Sequence, residues 1–371
     1  MRRLSVFIFF TFLFSISACG GSNSGSEGGE NGGNESIVPS NLELTYVLQG
    51  SGETNPNGDG SGEVHFIVSA ENAVRYEVFF GDGDGEEFET PTFSHIYDEV
   101  GLRTYTVKVI AYSSTGDSIQ GSFDIQVERT ISLFWSDEFD SDGAPNDDYW
   151  SFEIGDGCPN LCGWGNNEVQ YYTDDSKNVE VKDGSLFIRA LKESKGGKPY
   201  TSTRMISKGK MEFQEGRVEI RAKLPKGGGT WPAFWLLGGD IDQIGWPKCG
   251  EIDIMEHVGN DVNHISSALH TPSSYGNTQN VMRKSISNDN DEYYNEFHLY
   301  GLNWTKDKME FSLDGVVYYT YAPNAKNDST WPFNKDCFLI FNIAVGGNLG
   351  GNIDSSWTSS EMEIDYIRIY K

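Results

Sequence analysis

Short alternating runs, cut at intervals by turn dipeptides, constrain this chain more than any other feature. In Arg217–Leu224, Val218, Ile220, Ala222 and Leu224 alternate with Arg217, Glu219, Arg221 and Lys223. A period of two buries one set and solvates the other, which describes a strand rather than a helix. Asp183-Gly184 separates Asn178–Val181 from Ser185–Ile188, and Asp314-Gly315 separates Met309–Leu313 from Val316-Val317. Asp-Gly suits tight hairpins, where both turn residues take positive φ. Together with 43 glycines, 13% aromatic residues and few long helical patterns, this predicts an all-β chain. Its 371 residues leave room for two or three domains.

The formal net charge of −27 disfavours a phosphate backbone as partner, so nucleic-acid binding is not expected. The same charge weakly disfavours highly sulfated polysaccharides. A neutral partner fits best.

The N-terminus reads as a targeting segment, residues 1–18, that takes no part in the fold. Arg2 and Arg3 precede an apolar run, residues 4–14, too short to span a bilayer comfortably. Ile16-Ser17-Ala18-Cys19 resembles a bacterial lipobox, in which the cysteine becomes the lipidated N-terminus. That implies export and lipid anchoring through Cys19 to the bacterial membrane, at the outer membrane or cell surface. Residues 20–35 carry no apolar side chain, and the stretch 19–40 reads as a flexible Gly/Ser/Asn tether. Of the five cysteines, Cys158, Cys162, Cys249 and Cys337 remain. An even number in an oxidising compartment suggests disulfides, with the pairing open. Zinc is not expected at Cys158 and Cys162, because no second pair or nearby histidine completes a tetrahedral site.

Residues 41–128 form a first unit. Phe79–Gly85 (FFGDGDG) is followed by His95-Ile96-Tyr97 and by Gly101–Val107, whose Tyr105 and Val107 begin a half-buried face with Val109. This order resembles a polycystic-kidney-disease (PKD) type domain, a small immunoglobulin-like sandwich, which implies a spacer or weak binding module. Asp82 and Asp84 lack the further ligands of a calcium loop, and a turn-forming role is expected.

Residues 131–371 form the larger unit, with many short antiparallel strands that predict a two-sheet sandwich. It has no phosphate loop, HExxH helix or GxSxG elbow. Its most informative segment is Gly250–Glu256 (GEIDIME). On a strand, Glu251 and Asp253 share one face while Ile252 and Ile254 enter the core. Glu256 joins the acids only if a β-bulge absorbs Met255. Three acids on one face repel one another, which raises the pKa of at least one and keeps a proton available near neutrality. Glycoside hydrolysis uses such a set, one carboxylate attacking the anomeric carbon and one carboxyl protonating the leaving oxygen. A regular strand with one bulge puts Glu251 and Glu256 roughly 13 Å apart at Cα. Retaining chemistry wants the carboxyls about 5 Å apart, so the sheet must bend and the side chains lean together. A solvated acidic edge strand and an oxygen-ligand site for calcium or magnesium are the other readings of this pattern.

GEIDIME resembles the active-site strand of glycoside hydrolase family 16, and further stretches resemble its laminarinase-like branch in order. These are Trp135–Phe139, Gly163–Glu168 (GWGNNE), Thr230–Leu236 (TWPAFWL), Leu269–Thr271, Asn342–Gly347 and Ile364–Arg368. The resemblance implies a β-jelly roll with a substrate cleft across its concave sheet. It implies Glu251 as nucleophile, Glu256 as general acid/base and Asp253 as the residue that orients and tunes them. It puts Trp231 and Trp235 in the cleft, His270 near the scissile bond, and Asn166 and Arg204 on sugar hydroxyls. For each, a core, turn or surface role is the plainer alternative. It also implies a structural, non-catalytic calcium held by Glu138, the Gly184 carbonyl and Asp365, with a salt bridge from Asp365 as the alternative. Catalysis needs no cofactor in this family.

The expected function is endo-hydrolysis of β-1,3-glucan such as laminarin, or of mixed-linkage β-1,3-1,4-glucan, by a monomer. An agarase-like galactanase of the same family, a non-catalytic glycan-binding lipoprotein and a β-module adhesin are the alternatives. The intact acids argue against the last two.

Overall fold

The computed structural model describes residues 36–52, 55–276, 280–287 and 289–371. The targeting segment and Cys19 lie outside the described residues. Contacts divide the chain into two units between Ile131 and Ser132.

In the first unit, three strands pair in one sheet (Ser40–Leu48, Glu63–Glu71, Thr92–Ile96). Four pair in another (Gly85–Phe88, Arg75–Phe79, Gly101–Tyr112, Ser118–Arg129). Val64, Phe66 and Val68 from the first sheet and Val78, Val107, Val109 and Ile125 from the second share one buried cluster. Asp82 shapes its turn: Oδ1 accepts the Asp84 N–H at 3.1 Å, and Oδ2 stands 2.6 Å from His95 Nε2. The expected turn role is what these contacts describe.

The second unit pairs a ten-stranded with an eight-stranded sheet, antiparallel at almost every ladder. Both Asp-Gly hairpins form. Lys182 pairs with Ser185 across Asp183 (φ 51°) and Gly184 (φ 79°), and Leu313 with Val316 across Asp314 (φ 50°) and Gly315 (φ 77°). The alternation in Gly216–Lys223 is realised, with Val218, Ile220 and Ala222 all at 0% exposure. The main core lies between the sheets. Val218, Ile220, Leu302 and Ile367 enter it from the ten-stranded sheet, and Phe234, Ile252, Phe341 and Ile343 from the eight-stranded one. Among the described residues no helix is long and apolar enough to cross a membrane.

The eight-stranded sheet positions the site. Its central strands run in the order His264–His270, Glu251–His257, Thr230–Gly238 and Cys337–Val345, followed by Arg204–Ile206. Its outer face has a second apolar cluster of Ile206, Leu237, Cys249, Phe338 and Ile340. Cys249 belongs to that cluster, whereas Cys337 belongs to the inter-sheet core. That separation leaves both thiols free and buried, and the bonded pair is Cys158–Cys162.

Candidate active site

The acidic strand Glu251–His257 lies between the strand of Trp231 and Trp235 and the strand ending at His270. Glu251 pairs with Leu237 and His270, Asp253 with Trp235 and Ala268, and Glu256 with Ala233 and Ser266. Between Asp253 and Glu256 the register slips by one residue on both sides. This is the bulge that returns Glu256 to the acidic face. Its position corrects the expectation by one residue. Met255 pairs with Phe234, so Ile254 is the extra residue against the tryptophan strand. Both Ile254 and Met255 enter the core, at 2% and 0% exposure, so burial of both apolar side chains stabilises the bulge.

Each glutamate receives an indole N–H. Trp231 Nε1 donates to Glu256 Oε1 at 3.0 Å, and Trp246 Nε1 donates to Glu251 Oε2 at 2.6 Å. His270 Nε2 stands 3.2 Å from Asp253 Oδ2 and 3.8 Å from Glu251 Oε1. The Gly276 N–H meets His270 Nδ1 at 3.1 Å, which leaves Nε2 as the proton-bearing nitrogen facing the acids. Glu251, Asp253 and His270 each bring a ligand atom within 4.8 Å of the others.

These groups titrate as a unit. Burial, and then the Glu251 charge, push the Asp253 carboxyl well above the usual carboxylate range. Burial raises Glu256 to about 7, assisted by the Glu251 charge and opposed by the Trp231 hydrogen bond and His270. Burial opposes charge on His270, but the Asp253 contact and then the glutamates outweigh it and hold its pKa at about 9. Protonation of His270 places the second proton on Nδ1, which then gives up the Gly276 N–H. The strand therefore holds one carboxyl poised to give and retake a proton near neutrality, beside a second carboxylate on the same face.

Trp231 and Trp235 sit on the same outer face, because Thr230–Gly238 pairs without interruption along Cys337–Val345. Trp235 Nε1 donates to Asn342 Oδ1 at 2.8 Å. The Arg204 guanidinium lies 4.6 Å from the ring centroids of both Trp164 and Trp235, and its Nε is 2.5 Å from Glu153 Oε2. Asn166 Nδ2 reaches Glu168 Oε1 at 3.5 Å. The structure thus brings Trp235 and Arg204 together, with Asn166 attached through its glutamate neighbour. Trp231 stands with the acids.

The two carboxylates expected to hold calcium are engaged otherwise. Glu138 accepts Arg368 through both oxygens, at 2.9 and 2.8 Å, and Asp365 is paired with Arg221. The donors are hard oxygens that suit calcium. A cation there would have to displace two ion pairs.

Sequence reasoning missed Trp246 and Trp164. Trp246 sits outside any strand, 45% exposed, in the segment that leads to Glu251. Trp164 is in a left-handed run (Gly163 φ 63°, Trp164 φ 53°, Gly165 φ 76°) that directly follows the small loop closed by Cys158–Cys162. The signal for both was an aromatic residue flanked by glycine or proline just before an acidic motif.

Residues 161–368 match the model of "Glycosyl hydrolases family 16". The chain is similar to a laminarinase from Flavobacterium sp. UMI-01, with 46% identity and a TM-score of 0.60, covering 65% of this chain and 100% of that one. It is similar to the laminarinase catalytic domain from Thermotoga maritima MSB8, with 41% identity and a TM-score of 0.62, covering 66% and 99%. It is also 38% identical over 250 residues to a β-glucanase from Rhodothermus marinus, covering 64% of this chain and 85% of that protein. An all-β jelly roll with an acid-bearing outer face and a family match over more than half its length together place this chain among the glycosyl hydrolases of family 16.

Proposed function

We propose that the chain is an endo-acting β-glucanase that cuts internal bonds of β-1,3-glucan, of mixed-linkage β-1,3-1,4-glucan, or of both, with retention of configuration. The observation that carries this reading is Glu256, a carboxyl held at about 7 on the same face as Glu251. The similarity to two laminarinases and a β-glucanase supports the substrate class.

Glu251 attacks the anomeric carbon while Glu256 protonates the departing glycosidic oxygen, giving a covalent glycosyl-enzyme. Glu256, now ionised, then takes a proton from water as that water displaces Glu251 and restores both groups. Trp246 orients Glu251 through its indole N–H. Asp253 and His270 set the charge around the pair. Trp231 and Trp235 offer flat faces to glucose rings, and Arg204 and Asn166 bind hydroxyls. No metal or cofactor takes part.

Product analysis on laminarin, barley β-glucan, lichenan, agarose and carrageenan, with wild type and Glu251→Ser side by side, tests this. The reading predicts oligosaccharides from a glucan with wild type only. Cleavage of agarose alone replaces the substrate with a galactan. Binding without cleavage makes the chain a glycan-binding protein.

The first unit serves as a PKD-type, immunoglobulin-like spacer, supported by its two sheets around one core. Cys19 carries a lipid that anchors the protein at the outer membrane or cell surface, with 19–40 as tether, and the enzyme works as a monomer. A calcium ion at Glu138, the Gly184 carbonyl and Asp365 is a further, non-catalytic element of this reading. It would require Arg368 and Arg221 to release their partners.

A further inference from the structure

Away from the catalytic acids, one carboxylate is buried without a place in the chemistry. Glu168 is 5% exposed and Tyr172 is 0% exposed. Glu168 Oε2 accepts Gln170 Nε2 at 2.6 Å and the Tyr172 hydroxyl at 3.1 Å. Tyr172 Oη in turn accepts Asn342 Nδ2 at 3.1 Å, and Asn342 Oδ1 accepts the Trp235 indole N–H at 2.8 Å. Every donor in this relay, Trp235 to Asn342 to Tyr172 to Glu168, points toward the carboxylate. In a chain so ordered each bond strengthens the next.

The relay ties together parts of the sequence that have no local reason to meet. Val345 N–H donates to Gln170 Oε1 at 2.8 Å, and Asn348 N–H to the Asn166 carbonyl at 2.7 Å. Gly347 permits this approach, since a Cβ there would come within 2.8 Å of the Asn166 oxygen. Burial raises the Glu168 pKa above the usual carboxylate value, with the Gln170 hydrogen bond and then the Arg204 charge opposing the rise. The Arg204 guanidinium stacks on the Trp164 and Trp235 rings.

We propose that Glu168 is a positioning residue for sugar binding: through Tyr172 and Asn342 it fixes the Trp235 indole, on which Arg204 stacks. Glu168 touches no substrate itself. It sets the geometry of one arm of the cleft, which rests on the β-glucanase reading for the identity of the sugar.

The test combines kinetics with a measurement that needs no hydrolysis. For Glu168→Gln and Tyr172→Phe on laminarin, KM should rise about 5- to 20-fold with kcat within about threefold of wild type. The effects should not add in the double variant. Exchange of the Trp235 indole N–H, assigned by its loss in Trp235→Phe, should be at least about tenfold faster in Tyr172→Phe. Unchanged KM with slow exchange, or additive effects, overturns the proposal. So does a rise in KM that merely follows a fall in melting temperature. If wild type cuts no β-glucan, the functional reading fails, and the indole exchange alone decides for or against the relay.

Discussion

Trp231 donates its indole N–H to Glu256 Oε1 at 3.0 Å, so the tryptophan proposed to stack on a sugar also tunes the proposed proton donor. That bond favours the ionised carboxylate, against the burial that raises Glu256 to about 7. Activity should therefore fall as the pH rises through about 7, where Glu256 loses its proton. Trp231→Phe removes a donor to the charged form, so the pKa rises and the alkaline limb of the kcat/KM profile moves to higher pH. KM should also rise by about 3- to 10-fold from poorer stacking. A pH profile of both proteins checks the direction; a limb that stays put or moves down contradicts it.

Trp246 plays the corresponding part for Glu251, at 2.6 Å. A hydrogen bond to a charged group that must be aimed at a carbon is worth about 1.5–3 kcal/mol. Trp246→Phe keeps the ring and removes the donor, so kcat should fall by roughly 10- to 100-fold. Steady-state kinetics with a folded variant, verified by its melting temperature, measures this. An unchanged kcat would show that Glu251 needs no such partner.

Asp253 is kept at a cost to stability. Burial and the Glu251 charge raise its pKa in the folded state above the unfolded value. Its contribution to stability is thus present at low pH and lost as pH rises through the folded pKa. Asp253→Asn removes that loss, so the variant should melt higher than wild type at pH 8, with a smaller difference at pH 4. Its kcat should drop by about 100-fold or more, since an amide cannot give or take a proton within the set formed with Glu251, Glu256 and His270. Thermal melts at the two pH values, with kinetics alongside, decide it.

The thiols give an independent check on the fold. Cys249 and Cys337 are buried in clusters on opposite faces of the eight-stranded sheet, and burial raises the Cys249 thiol to about 11. In a Cys19→Ser protein, a disulfide reagent such as DTNB should titrate neither thiol in the native state and both after denaturation. Finding none after denaturation would mean that they are bonded to each other.

Strand alternation and the Asp-Gly hairpins were legible because both are local: a period of two and a pair of positive φ angles need only neighbouring residues. The acids were legible too, and the need for a bulge between Asp253 and Glu256 followed from counting faces. Its placement was not, because whether Ile254 or Met255 is the extra residue depends on the register of the strands on either side. Trp164 escaped for a similar reason: its left-handed turn owes its position to a disulfide loop and to Arg204. The Glu168 relay joins residues 168, 172, 235 and 342, separations that no periodicity encodes.

The central claim is that Glu251 and Glu256 act as a retaining pair on β-glucan. Proton NMR of the anomeric signals during the first minutes of laminarin hydrolysis tests it most directly. The account predicts that the β-anomer of the new reducing end appears first and the α-anomer only later by mutarotation, with no signal from Glu251→Ser. First appearance of the α-anomer would mean inversion, and undiminished hydrolysis by Glu251→Ser would remove the nucleophile; either result contradicts the mechanism.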